Sequence, residues 1–152
     1  MSGVRIVQGP NTSNIQELIL ASSTYLDNGD FVTINSDGFL ARTAAGDKID
    51  GYYVGSAITA AADNETVAMV KGQYEVNTDD VVFEMTSDQA CAQTDVGTYA
   101  DIKLVTNAFQ LDLAGGATGQ MFVQDFDPDR DGSTTKVRVK IAEPQQLAFA
   151  QS

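Results

Sequence analysis

Apolar and polar residues alternate along most of the chain in short runs, and clusters of Gly, Asn, Asp, Ser and Thr interrupt them at intervals of about 8 to 12 residues. A period of two is the signature of half-buried β-strands. In the first half it predicts strands over 31–34, 39–42, 49–58 and 67–76. Asp27-Asn28-Gly29 leads into Phe31-Val32-Thr33-Ile34, and Asp37-Gly38 is a two-residue hairpin signal, since Gly accepts the positive φ such turns need. Over 67–76, Val70, Gly72, Tyr74 and Val76 share one face, and Lys71, Gln73 and Glu75 share the other. Gly51, Gly55 and Gly72 lie inside strand patterns, where glycine marks a bend, a bulge or a close backbone approach.

The second half repeats the rhythm without a visible residue-level repeat. Strands are predicted over 81–85, 99–106, 109–113, 121–126 and 136–142. Phe109, Leu111 and Leu113 alternate with Gln110 and Asp112, and Val137, Val139 and Ile141 alternate with Lys136, Arg138 and Lys140. A loop-rich stretch over 86–97 holds Cys91, and 114–119 reads as a flexible connector. Ahead of the strands, Gly9-Pro10-Asn11 breaks the chain after a β-prone run at 4–7. Ser13 with Gln16 has the spacing of a helix capping box, although Leu18 to Tyr25 reads equally well as a strand. The expected organisation is an N-terminal arm (1–24), a first β-module (25–78), a second (79–142) and a C-terminal tail (143–152) carrying Leu147 and Phe149. The arm and the tail either pack on their own domain or reach a neighbour. The fold class is all-β: two small β-barrel- or sandwich-like modules of short antiparallel strands, sharing one compact unit.

Composition narrows the function. At 152 residues the chain can bury a core without disulfide or metal support. Its 21 acidic residues against 9 basic give a formal charge of −12, which disfavours nucleic acid and anionic membranes as partners. No apolar run approaches a membrane span, and the N-terminus lacks a signal-peptide core, so cytoplasmic synthesis is expected. The single cysteine, Cys91, reads as a small buried hydrophobe. With no His in the chain, Ser/His and Cys/His triads are excluded. Phosphate-loop, dinucleotide and zinc motifs are lacking, and the chain is expected to be neither an enzyme nor a cofactor binder.

Three features carry candidate chemistry. Asp127, Asp129, Asp131 and Gly132 match the first half of a calcium loop, D-x-D-x-D-G, whose carboxylates offer hard oxygen ligands. The twelfth position is Arg138 rather than Glu, Pro128 intrudes and the flanks read as strands, so the competing expectation is a solvated hairpin loop. Lys136, Arg138 and Lys140 line one face of one strand, either balanced by cross-strand acids or forming a docking strip for an acidic partner. The adjacent Tyr52 and Tyr53 predict one ring in the core and one at an interface.

The first module resembles a pattern found in head decoration (cement) proteins of tailed bacteriophages: a glycine-aspartate turn before an apolar strand, a second hairpin, a G-x-x-x-G strand, then an apolar strand ending in glycine and an aromatic. Here the pattern is carried by Gly29-Asp30-Phe31-Val32, Asp37-Gly38-Phe39-Leu40-Ala41, Gly46-Asp47-Lys48-Ile49-Asp50-Gly51 through Gly55, and Val70-Lys71-Gly72-Gln73-Tyr74. The second module, from Val96-Gly97-Thr98-Tyr99 to Ile141, looks like the C-terminal part of similar proteins. The resemblance implies a virion protein made in the host cytoplasm. It would bind the outer capsid surface as a homotrimer, clamping adjacent major capsid subunits, with no cofactor, nucleic acid or membrane. The alternatives are another virion β-module (head fibre, tail or baseplate accessory) and a calcium- or carbohydrate-binding module using Asp127, Asp129 and Asp131.

Overall fold

The computed structural model describes residues 3–114 and 119–142. In chain order its strands are β1 (Val4–Gln8), β2 (Ile15–Ile19), β3 (Tyr25–Leu26), β4 (Phe31–Ile34), β5 (Leu40–Arg42), β6 (Gly51–Tyr53) and β7 (Ile58–Thr59). There follow β8 (Lys71–Glu75), β9 (Val82–Thr86), β10 (Tyr99–Val105), β11 (Ala108–Asp112), β12 (Met121–Phe126) and β13 (Lys136–Ile141). The fold is all-β. One sheet has the order β2-β8-β6-β4-β5, a second the order β1-β9-β13-β12-β10-β11, and β3 with β7 forms a short ribbon. Neighbours in all three are antiparallel.

Both sheets curl back on themselves. Leu20, just past β2, makes a parallel bridge to Leu40 of β5, and Ser87, just past β9, makes one to Leu111 of β11. The two halves therefore share one connectivity, with β2, β4, β5, β6 and β8 corresponding to β9, β10, β11, β12 and β13. The register agrees residue by residue. Phe31 pairs with Tyr52 and Tyr52 with Glu75, as Tyr99 pairs with Phe122 and Phe122 with Lys140. Leu20 N–H donates to Val70 O (3.0 Å) as Ser87 N–H does to Thr135 O (2.8 Å). Even a side-chain device recurs: Ile34 N–H donates to Asp50 Oδ2 at 2.7 Å, and Ile102 N–H to Gln120 Oε1 at 3.1 Å. The sequence hides this repeat because most equivalent positions hold different residues.

Two cores follow from the curl. The larger fills the second sheet with Phe83, Met85, Ile102, Phe109, Leu111, Met121, Val123, Val137 and Val139, and takes in Phe31, Ile49 and Tyr52 from the first sheet's outer face. Phe31 is fully buried, 5.0 Å from the Phe83 ring and 5.4 Å from Phe109, both edge-on. The smaller core lies inside the first sheet: Leu20, Val32, Leu40, Tyr53 and Tyr74, with Leu26 and Ile58 of the β3–β7 ribbon packed on it. Tyr52 and Tyr53 are thus both buried, one in each core, because the first sheet is covered on both faces. Neither serves as the exposed interface ring the alternation predicted.

Other expectations change for local reasons. The stretch read as an arm is two strands: β1 joins the second sheet beside β9, and β2 opens the first sheet beside β8. Ser13 caps no helix; its hydroxyl donates to Glu75. Glu75, expected in solvent, is 2% exposed and also accepts from the backbone N–H groups of Asn14 (2.6 Å) and Asn77 (3.1 Å). The predicted strand over 49–58 is split into β6 and β7. A Cβ on Gly55 would lie 2.5 Å from the Tyr53 hydroxyl, which donates to Ser56 O at 2.6 Å and turns the chain. The start of the predicted 67–76 strand is instead a π-helical turn, Asn64–Ala68. Buried Asn64 fixes it by donating to Leu20 O and Val70 O and accepting from Val70 N–H. Most of the 114–119 connector and all of the 143–152 tail fall outside the described residues.

Candidate functional site

The calcium-like loop joins β12 to β13. Asp127 is its N-cap, accepting from Asp129 N–H (3.1 Å) and Arg130 N–H (3.3 Å). Pro128 opens a single helical turn, α1 (Pro128–Asp131), and Gly132 closes it with φ of 76°. The competing hairpin-loop expectation holds in outline, with a capped turn inside the loop. The three carboxylates face different partners. Asp127 serves the backbone, Asp129 is exposed, and Asp131 takes Arg130 Nη2 at 2.8 Å and Arg138 Nη2 at 3.8 Å. Arg130 holds the Asp131 carboxyl below the usual carboxylate range. Among the described residues no group of three or more His, Cys, Asp or Glu side chains is placed to hold a metal ion.

The basic row of β13 belongs to a charge ladder on the second sheet's outer face. The register aligns Arg5, Glu84, Arg138 and Asp125 across β1, β9, β13 and β12. Arg5 grips Glu84 with both arms of its guanidinium (2.7 and 3.3 Å), and Lys136 Nζ lies 3.9 Å from the same carboxylate. Arg130 Nη2 reaches Asp125 at 2.7 Å. Lys140 stands across from Phe122, whose ring packs edge-on against half-exposed Tyr99 at 5.5 Å. Lys136 and Arg138 are therefore balanced by acids in the manner of a solvated sheet face. An open cleft of about 370 Å³ ends the ladder, lined by Gly3, Arg5, Asp27, Asn28, Glu84 and Lys136 among others.

A second polar cluster escaped the sequence reading. Arg42, at the end of β5, lies between the Tyr25 ring (5.4 Å) and the Phe109 ring (5.2 Å). Its guanidinium meets Asp30 Oδ2 at 3.2 Å and donates to the Asn107 carbonyl. Asn107 is aimed there by the tight β10–β11 turn, in which Thr106 and Asn107 both take positive φ. Asp30 is fully buried; despite Arg42, burial pushes its carboxyl up to about 6. The cluster ties the first sheet to a hairpin of the second. Its one signal in the sequence was a lone charge ending an apolar strand, Phe39-Leu40-Ala41-Arg42.

The Cys91 thiol is buried and pushed up to about 11 by desolvation, which leaves it protonated and unreactive near neutral pH. No helix among the described residues is long and apolar enough to cross a membrane. No family model, curated protein or solved structure matches the chain.

Proposed function

We propose that the protein is a structural component of a tailed-phage virion that binds the outer surface of the assembled capsid as a homotrimer. There it would clamp adjacent major capsid subunits. The observation that carries the reading is the turn-and-glycine pattern of the first module, each part of which has a shape-setting task. Gly29 takes φ of 91° ahead of buried Asp30, and Gly38 takes φ of 89° in the β4–β5 turn. A Cβ on Gly51 would lie 2.2 Å from Glu75 O, and one on Gly72 would lie 3.2 Å from the Tyr53 ring. A pattern whose glycines set turns and close backbone approaches suits a clamp better than a catalyst. Three copies engaging three capsid subunits would gain avidity without any single tight contact.

The test is cosedimentation with expanded capsids lacking the protein, assembled from the major capsid protein of the same genome. Saturable binding and a raised capsid melting temperature are expected, with a trimer in sedimentation equilibrium. Binding no greater than background would overturn the reading, and immunogold label confined to the tail would replace it with a tail accessory.

A further inference from the structure

The two corresponding halves differ in what lies along the edge of their first strand. In the second sheet, β1 lies along β9, covering the edge that faces the β9–β11 seam. Its Val4, Arg5 and Ile6 pair with Met85, Glu84 and Phe83. Val4 and Ile6 pack on the core, and Arg5 grips Glu84. Under that cover Val82, Phe83, Glu84 and Met85 are all buried.

The matching edge belongs to β2. Counting back from the parallel bridges, Leu20 corresponds to Ser87, Leu18 to Met85, Glu17 to Glu84, Gln16 to Phe83 and Ile15 to Val82. β8 covers one edge of β2, as β13 covers one edge of β9. Along the other edge of β2, among the described residues, no strand takes the place of β1; the chain meets β5 just past the strand, where Leu20 bridges Leu40 and Ala21 N–H donates to Leu40 O at 2.9 Å. The exposures record the gap. Ile15 is 52% exposed against 5% for Val82, and Ile34 is 38% exposed against 0% for its counterpart Ile102. Glu17 is exposed where Glu84 is covered.

We infer that the free edge of β2 accepts a strand from another polypeptide, antiparallel to β2, that carries an apolar–basic–apolar triplet with its basic residue opposite Glu17. The backbone supplies the ladder common to strand-addition complexes, and the side chains supply the selectivity. The triplet repeats what Val4-Arg5-Ile6 does at Glu84: the cation meets the carboxylate, and the flanking apolar residues cover the half-open interior near Leu18. A second copy pairing edge to edge is disfavoured, because Glu17 is the central residue of β2 and a twofold antiparallel pairing sets Glu17 against Glu17. The inference rests on the internal repeat and stands apart from the virion reading.

A capped peptide with the sequence of residues 3–9, G-V-R-I-V-Q-G, is the probe, titrated into the full chain and followed by amide NMR shifts and hydrogen exchange. Saturable shifts and slowed exchange are expected at residues 15–19 and not at Val82–Met85. Replacing the peptide's Arg by Glu should weaken binding at least about tenfold, equivalent to about 1.4 kcal/mol. Glu17→Arg should reverse the preference, so that G-V-E-I-V-Q-G binds better than the original. The inference is overturned by no saturable response up to about 2 mM peptide, the affinity range of a marginal −4 kcal/mol contact. It is also overturned by equal binding of both peptides, by shifts confined to Val82–Met85, or by β2 amides already protected in the free protein by a second copy or by its own residues 143–152.

Discussion

Asp30 shows how a buried carboxylate set just ahead of an apolar strand can be a working charge. Its carboxyl accepts from Asp27 N–H at 2.8 Å and meets Arg42 at 3.2 Å, yet burial dominates and raises it from 3.8 to about 6. Between those values the folded state binds more protons than the unfolded chain. The contribution of Asp30 to stability therefore falls as pH rises from about 4 to about 6, on the order of 1 kcal/mol per unit of displacement. Asp131 and Glu75, both held low, act in the opposite sense and lose their contribution in acid. Since wild type and Asp30→Asn share those groups, the difference between their denaturation curves isolates Asp30. The variant is expected to gain relative to wild type as pH increases across this window, and parallel curves from pH 4 to 7 would show that Asp30 titrates normally.

Among the elements, the β12–α1–β13 connection makes the sharpest commitment. Asp127 spends one carboxylate oxygen on capping α1, and Asp131 is engaged by two arginines. Asp127→Ala should cost about 1 kcal/mol, the value of an N-cap. The melting midpoint of the wild type should stay put on adding millimolar calcium or a chelator. A calcium-dependent rise that Asp127→Ala abolishes would restore the loop as an ion site. The strands themselves were largely legible in the sequence, because exposed and buried side chains alternate where one face is wet. All five strands of the second half's sheet that the pattern predicted are present within about one residue of their expected bounds, and β11 and β13 show the alternation most cleanly. Alternation misleads where both faces are covered, as at Tyr52 and Tyr53, and where one polar side chain outweighs strand propensity, as Asn64 does in setting the π-helical turn. The Arg42–Asp30–Asn107 cluster was hidden for a different reason: its members lie up to 77 positions apart and meet only after both sheets have formed (107 less 30).

At the scale of the molecule, the halves share a core instead of merely touching. Phe31 belongs by sequence to the first sheet and by packing to the second, between Phe83 and Phe109. Phe31→Ala should therefore cost about 3 to 5 kcal/mol, the usual range for a buried phenylalanine. It should lower the melting of both sheets together, seen as one calorimetric transition moving to lower temperature. Two separated transitions would mean that the halves fold independently. The internal repeat was invisible to residue comparison because the recurring quantity is hydrogen-bond register: Asp50 and Gln120 perform one task with different side chains.

The placement of β1 has a mechanical consequence. β1 and β13 flank β9 and are both antiparallel to it, so they run parallel to each other. Tension applied between the two ends of the chain pulls β1 and β13 in opposite directions along their lengths. The ladders on either side of β9 are then loaded in shear, and their hydrogen bonds must break together instead of unzipping one at a time. Stretching by the ends in a force spectrometer should meet a high, single rupture peak. Pulling instead across the β10–β11 hairpin, which peels open from its turn, should meet a low one.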